Sequence, residues 1–259
     1  MPAETVPKVL PSLPPAEPCV LAIDTSTERL ALGLQGPGGP WTLLADGGAA
    51  ASATLLPRIH ALLAQAGLRL ADVGAIAFGR GPGAFTGLRT ACAVAQGLGL
   101  GLARPLLPID SLLIVAEDAR AQAAPQSGPL EVGVAMDARM NEAYAGRYRW
   151  HEGHWRVLQP PMLLSLPALA EAWADRPRQL LAGSALAAFG PRLDLPAACP
   201  RVGAERDRAG ALLRLAVQAA LAGEGVDAAA ALPLYLRDKV ALTTHERERV
   251  RAAAAAAAT

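Results

Sequence analysis

Apolar and polar positions follow two kinds of spacing along the chain. Short apolar runs with period-two alternation predict strands at 19–23, 30–34 and 41–45, which form an antiparallel meander. Aliphatic residues at helical spacing, with Gly67 just past the last one, predict a helix over about 52–66 that Ser52 could cap. A strand at 73–78, a glycine-rich loop at 79–83, a helix over about 85–103 and a strand at 106–109 follow.

The same order of elements returns after the segment 121–129. Strands are predicted at 130–135, 143–150, 155–158 and 179–182, and helices at 165–174, just after Ser184, and over about 207–222. Asp24 precedes Gly33 by nine residues, and Asp137 precedes Gly146 by nine. We therefore predict an α/β chain of two βββαβα-type halves with a cleft between them, the duplicated arrangement of the actin-like ATPase fold.

The boundaries of the two halves follow from these elements. The first half spans 19–110, the helix at 207–222 is expected to pack back on it, and the second half spans 111–206. The first 18 residues hold six prolines and predict a disordered arm, whereas 243–259 predicts a charged and polyalanine tail.

Charge and cysteine content narrow the class of function. The chain has 24 basic and 23 acidic residues, so any contact with a nucleic acid is expected to be indirect, through a complex. Three scattered cysteines predict neither a disulfide framework nor a zinc site, and fit a reducing, cytoplasmic compartment. The uncharged apolar run 90–103 is shorter than the roughly 20 residues that span a bilayer, so no membrane span is expected.

Candidate chemistry centres on Asp24 and Asp137, each of which closes an apolar strand. Each could cap the turn that follows it or contact a ligand, and the sequence leaves both roles open. The loop 137–142 has no glycine, which argues against a phosphate grip by backbone amides. The loop 79–83 lacks the Walker pattern and is best explained as a strand-to-helix connection with unusual dihedrals.

Histidines do not suggest a metal site. His151 and His154 lie in a predicted turn, His60 stands alone on a helix and His245 lies in the tail. No nucleophile with an adjacent base can be identified either, so we expect no catalytic residue, no metal and no cofactor.

The first two helices carry unusual stripes. Small residues recur every four positions on the second helix, from Gly87 to Ala103, and either pack tightly on the protein's own sheet or admit a partner helix. We predict a partner surface on both helices, which would also support a two-fold homodimer. A carboxylate at Ile59 should then prevent association without unfolding the chain. The surface comprises Leu55, Leu56, Ile59, Leu63, Leu88, Ala91, Cys92 and Ala95.

Four motifs in this order carry a resemblance to a known family. They are VLAIDTST at 20–27, GRGPGAFTGLR at 79–89, DARMNEAY at 137–144 and PLYLR at 233–237. Over about 19–240 the chain resembles the bacterial TsaB family of tRNA threonylcarbamoyladenosine biosynthesis proteins. The long glycine-rich motif is the most specific of the four.

The resemblance implies a role and partners. TsaB proteins are non-catalytic paralogues and partners of TsaD, which transfers a threonylcarbamoyl group to the adenosine beside the tRNA anticodon, and the ATPase TsaE joins them. TsaD holds a metal through an H-x-x-x-H pair that neither of the first two helices carries here. The resemblance also implies that a partner binds these helices, and that Asp24, Thr25, Gly81, Gly83 and Asp137 are vestiges of nucleotide loops. The alternatives are an independent ATPase or kinase of this fold and, more remotely, a metallopeptidase.

Overall fold

A computed structural model describes residues 18–48, 51–123, 128–174, 180–195 and 199–237. The chain starts with strands β1 (Val20–Asp24), β2 (Arg29–Gly36) and β3 (Gly39–Asp46), followed by helix α1 (Ala51–Gln65). Strand β4 (Ala75–Gly81), helix α2 (Phe85–Leu102), strand β5 (Leu106–Asp110) and helix α3 (Ser111–Gln122) come next. The predicted arm lies outside these residues except for Pro18, and the predicted tail lies wholly outside them.

The second set of elements repeats this order. It runs through strands β6 (Leu130–Asp137), β7 (Glu142–His151) and β8 (His154–Ser165), helix α4 (Leu166–Ala174), strand β9 (Leu180–Ala182) and helix α5 (Ala185–Phe189). Strand β10 (Arg201–Val202) and helix α6 (Arg208–Leu221) complete it. Each half is therefore βββαβαβα, one strand and one helix longer than the predicted unit.

Two five-stranded mixed sheets form the frame, in the orders β3-β2-β1-β4-β5 and β10-β9-β6-β7-β8. Strand β1 pairs antiparallel with β2 and parallel with β4, and all five of its residues are buried because it is the central strand. Strand β6 holds the matching place between β7 and β9. The two sheets confirm the duplicated α/β fold.

The last helix of each set packs on the sheet of the other set. Helix α3 lies against β6 and β7, while α6 lies across β1 and β2, and α3 and α6 also contact each other. Gly33 permits this packing, because a Cβ there would lie 2.9 Å from the Leu213 Cβ on α6. The two halves are therefore joined by the packing of α3 and α6, two largely buried helices that contact each other.

Several details differ from the sequence-based expectations. Helix α3 was not predicted, although Asp110 is its N-cap and accepts a hydrogen bond from Leu112 N at 2.9 Å. Ser52 cannot be the N-cap of α1, since the helix begins at Ala51. Strand β8 continues beyond residue 158 through Pro160 and Pro161, which an edge strand tolerates where its register shifts.

The nine-residue spacing from Asp24 to Gly33 and from Asp137 to Gly146 does not reflect the same strand register in the two halves. Gly33 pairs with Ala22, two residues before Asp24, whereas Gly146 pairs with Val134, three residues before Asp137. The two meanders thus match in topology, and the two glycines occupy different places in them. Within the described residues, no helix has the length and apolar character that crossing a bilayer requires.

Candidate functional site

Asp24 ends β1 where the two halves face each other, and its side chain is fully buried. Its Oδ1 accepts a hydrogen bond from Ser26 N at 2.5 Å, which is the turn-capping role that the sequence left open. Its Oδ2 lies 2.8 Å from Nη2 and 3.2 Å from Nε of Arg208, the first residue of α6. Both carboxylate oxygens are therefore engaged within the protein.

Residues 25–28 connect β1 to β2 and form the first loop of the cleft, called the β1 loop. Helix α2 packs against one side of it. Ala84 N donates to Ser26 O at 2.8 Å, and the Thr25 hydroxyl donates to Gly87 O at 2.7 Å. A Cβ at Gly87 would stand 1.7 Å from Thr25 O, so only glycine lets the helix approach this closely. The backbone of α2 therefore packs directly on the Thr25 side of the loop.

The glycine-rich loop connects β4 to α2, as predicted. Gly81 has a φ of +116° and donates its N–H to the Ser111 hydroxyl at 3.0 Å, and the Gly81–Pro82 peptide bond is cis. A Cβ at Gly79 would come within 2.5 Å of Asp24 Oδ2, and one at Gly83 would come within 2.6 Å of Ser26 O. These glycines serve close packing around Asp24.

The second loop follows Asp137, and the Asp137 carboxylate also bonds within its own loop. The Asp137 Oδ1 accepts from Arg139 N at 2.8 Å, and Oδ2 lies 3.6 Å from the Arg139 guanidinium. Arg139, Met140 and Asn141 all have positive φ, at 64°, 55° and 57°. The absence of glycine therefore did not prevent left-handed backbone here, although each such residue costs roughly 1–2 kcal/mol.

Two arginines stabilise this strained loop. Arg237 donates from Nη2 to Ala138 O at 3.0 Å and to Glu142 Oε2 at 2.5 Å, and Arg192 donates to Asn141 Oδ1 at 2.9 Å. Arg237 lies about a hundred residues away in the sequence, and we find no local signal that could have predicted the contact.

A cavity of about 480 Å³ lies between the two loops and the two halves. Its wall includes Asp137, Arg139, Tyr144, Glu205 and Arg208. Asp24 is not in the wall, because Arg208 and the loop 26–29 stand between its carboxylate and the cavity. The cleft predicted by the duplicated fold exists, but only one of the two predicted aspartates reaches it.

Comparison with known proteins identifies the family to which the chain belongs. A family model described as TsaD, tRNA N6-adenosine threonylcarbamoyltransferase, matches residues 48–198. The tRNA threonylcarbamoyladenosine biosynthesis protein TsaB of Escherichia coli K12 is 32% identical over 249 residues, covering 86% of this chain and 96% of that protein. The chain belongs to the TsaB family. The Haemophilus influenzae TsaB is 43% identical over 126 residues, which cover 48% of this chain and 51% of that protein.

Solved structures agree with this membership. YeaZ from Pseudomonas aeruginosa is 37% identical and superimposes with a TM-score of 0.73 over 85% of this chain and all of that one. A second Pseudomonas aeruginosa structure, described as an uncharacterized protein with similarity to peptidase YEAZ, is 38% identical with a TM-score of 0.74 over the same shares of the two chains. The fold of this TsaB-family chain thus matches solved structures at substantial sequence identity.

The fold expected from the sequence would hold a magnesium–nucleotide group at the cleft, and the residues of this TsaB-family chain do not fit one. Asp24 has no free oxygen, and Asp137 is paired with Arg139. Within the described ranges, no three His, Cys, Asp or Glu side chains cluster as metal ligands. His60, the one histidine on α1, is exposed, and α2 has none.

The predicted partner residues on α1 and α2 need a correction. Leu56 is 44% exposed, but the other seven are buried against the first sheet, with at most 3% of their surface accessible. The small-residue stripe at Gly87, Ala91, Ala95 and Gly99 likewise faces the core. Helical periodicity identified the apolar face correctly, but this face covers the protein's own sheet. The remaining outward surface of α2 carries Ala93, Gly97, Leu100 and Gly101.

Proposed function

We propose that this chain is a non-catalytic partner of a TsaD-type enzyme in the cytoplasmic threonylcarbamoyl modification of the adenosine beside the tRNA anticodon. Membership of the TsaB family supports the pathway. The observation that carries the non-catalytic role is the ion pair between Asp24 and Arg208, at 2.8 Å, since it engages the carboxylate at the end of β1 that would otherwise face a metal-bound nucleotide.

The partner surface that we propose is the outward face of α1 and α2. Leu56 is 44% and Leu100 79% exposed, and a Cβ at Gly97 or Gly101 would meet no atom within 4 Å. The chain's own packing does not require glycine at these two positions, although glycine inside a helix costs about 1 kcal/mol relative to alanine. A partner helix that packs closely against α2 would explain why small residues are present at these two positions.

We assign this face to a TsaD-type paralogue. In the absence of that paralogue the same face would join two copies of this chain, because a two-fold interface uses one surface twice. A TsaE-type ATPase would join the complex, and tRNA would be contacted only through it. The near balance of 24 basic and 23 acidic residues supports indirect contact.

Co-purification with TsaD from the same organism, followed by a tRNA modification assay, tests the proposal. Gly97→Leu adds bulk where the free chain has room and replaces a helix glycine, so we expect a melting temperature at or above that of the wild type but a roughly 30-fold weaker complex, the equivalent of about 2 kcal/mol. The matched control is Gly203→Leu in the loop before α6, where a Cβ also meets no atom within 4 Å. Equal TsaD binding by both variants would place the interface elsewhere.

A separate measurement addresses catalysis. The purified chain should turn over no ATP above a buffer control, alone or with tRNA. The proposal of a non-catalytic role fails if ATP turnover co-purifies with the chain and is abolished in Asp137→Asn, the aspartate that reaches the cleft.

A further inference from the structure

Arg208 is a buried cation surrounded by oxygen atoms. Its side chain is 4% exposed, and its guanidinium contacts Asp24 Oδ2 at 2.8 Å, the Ser26 hydroxyl at 3.0 Å and Glu205 Oε2 at 2.5 Å. Burial alone would lower the pKa of Arg208, but Asp24 and Glu205 hold that pKa above its ordinary value. Both carboxylates therefore favour the charged form of the guanidinium.

The helix itself disfavours a cation at this position. Arg208 is the first residue of α6, where unpaired backbone N–H groups and the helix dipole make the surroundings positive. The N-cap Asp207 uses its carboxylate to accept from Gly210 N at 2.9 Å, so it supports the helix end. The location of Arg208 is therefore explained by the carboxylates of Asp24 and Glu205.

Asp24 in turn requires a positive partner. A fully buried carboxylate without one is strongly unfavourable, because it loses its hydration. The backbone of β4 at Gly79 and the N-terminal turn of α2 at Gly87 close in around the β1 loop. The guanidinium of Arg208 is the cation within reach among the described residues.

We infer that Arg208 is the built-in counter-cation of the β1 loop. It stands among oxygen donors of Asp24, Ser26 and Glu205, hard ligands of the kind that bind Mg²⁺ or a solvent cation, and it thereby both closes this end of the cleft to metal and ties α6 to β1. This role goes beyond the proposed partner function and can be tested on the isolated chain without TsaD.

Chemical rescue of Arg208→Ala is the decisive experiment. We expect the melting temperature of this variant to fall by roughly 6 °C or more. Methylguanidinium chloride, compared with sodium chloride at the same concentration, should then raise it, since a ligand that binds only the folded state stabilises that state. The same comparison should not raise the melting temperature of the wild type or of Arg206→Ala, which removes an exposed arginine two residues earlier, because guanidinium salts otherwise weaken folding.

A second probe and a second variant complete the test. Mn²⁺, followed by its electron paramagnetic resonance signal, should bind Arg208→Ala with a stoichiometry near one and show no specific binding to the wild type or to the Asp24→Asn, Arg208→Ala double variant. If Arg208→Ala does not fold, Arg208→Met should melt lower than Asp24→Asn, Arg208→Met, because the latter has no unpaired buried carboxylate at this position.

Three results would overturn the inference. One is a melting temperature of Arg208→Ala equal to that of the wild type. Another is a methylguanidinium effect of the same size in Arg208→Ala and Arg206→Ala, which would show general solvent action. The third is stoichiometric Mn²⁺ binding to the wild type that Asp24→Asn removes. Loss of TsaD binding bears on the proposed function and leaves these readouts unaffected.

Discussion

The hydroxyl of Tyr148 donates a hydrogen bond of 2.8 Å to Asp110 Oδ2 in the buried contact between the two halves. Tyr148 lies on β7 in the second half, and Asp110 is the last residue of β5 and the N-cap of α3. Burial raises the pKa of Asp110, although the bonds from Tyr148 and Leu112 N oppose the shift. Burial also raises the pKa of Tyr148, so the phenol remains a donor at neutral pH.

The raised pKa of Asp110 gives stability a defined pH dependence. A carboxyl whose folded-state pKa lies above its unfolded value destabilises the fold at neutral pH, and this cost disappears as pH falls through the folded pKa toward the unfolded one. Asp110→Asn removes the charge and keeps an acceptor oxygen for Leu112 N, while its NH2 group would donate to the Tyr148 hydroxyl oxygen instead of accepting from the hydroxyl. We expect the free energy of unfolding of Asp110→Asn, relative to the wild type, to be higher at pH 7 than at pH 5 in urea titrations. The exposed Asp46→Asn should show no such change, and an Asp110→Asn difference that is constant with pH would contradict the prediction.

Two glycines of α2 should respond oppositely to alanine. Gly87→Ala would place Cβ 1.7 Å from Thr25 O, so we expect a loss of about 3 kcal/mol or more, or no folded protein. Gly101→Ala points its Cβ into open space and should add up to about 1 kcal/mol through helix propensity. Guanidinium unfolding of dilute protein measures both. Similar stabilities for the two variants would mean that α2 does not pack against the Thr25 loop as described.

Ile59 and Leu56 lie three residues apart on α1, the first in the core and the second at the surface. From sequence, Ile59→Glu was expected to block association while leaving the fold intact, but Ile59 is fully buried. We now expect Ile59→Glu to lose roughly 4 kcal/mol or more because it buries an unpaired carboxylate. Leu56→Glu, at a position 44% exposed, should stay within about 0.5 kcal/mol of the wild type. Circular dichroism melts distinguish the two, and a wild-type melt for Ile59→Glu would place that residue outside the core.

The segment 231–237 links both halves at one end of the cleft. Leu234 N donates to Arg80 O at 2.7 Å, and the Tyr235 hydroxyl accepts from Arg89 Nε at 3.2 Å, both in the first half. Arg237 then reaches Ala138 O and Glu142 Oε2 in the second half. This segment holds the left-handed loop 139–141 by contacts from outside it.

Arg237→Ala should therefore loosen that loop selectively. We expect backbone amide exchange of residues 138–142 to become about tenfold faster, the equivalent of roughly 1.4 kcal/mol for a lost charged hydrogen-bond donor. Exchange in β1 and α6 should be unchanged. Arg156→Ala, which removes an exposed arginine on β8, serves as the control. Unchanged exchange in 138–142 would show that the loop holds its conformation without Arg237.

The order of elements could be obtained from the sequence because it depends on local spacing. Period-two runs gave the strands of both meanders, and helical spacing gave α1, α2 and α6 to within a few residues. Helix α3 was missed because its buried residues extend around much of its circumference, which leaves little contrast between faces. The cap at Asp110 was the local signal that would have placed it.

The sequence alone determined the duplicated architecture and the tight turns after Asp24 and Asp137, since both follow from hydrophobic periodicity and short-range hydrogen bonding. Tertiary structure decided what each surface faces. Periodicity shows which side of α1 is apolar, but burial of Leu55, Ile59 and Leu63 depends on the sheet beneath them. Likewise, Asp24 could be seen to cap a turn, whereas its pairing with Arg208 joins residues 184 positions apart. Such a pairing depends on α6 returning to pack on the first sheet, and only the folded chain brings those two charges together.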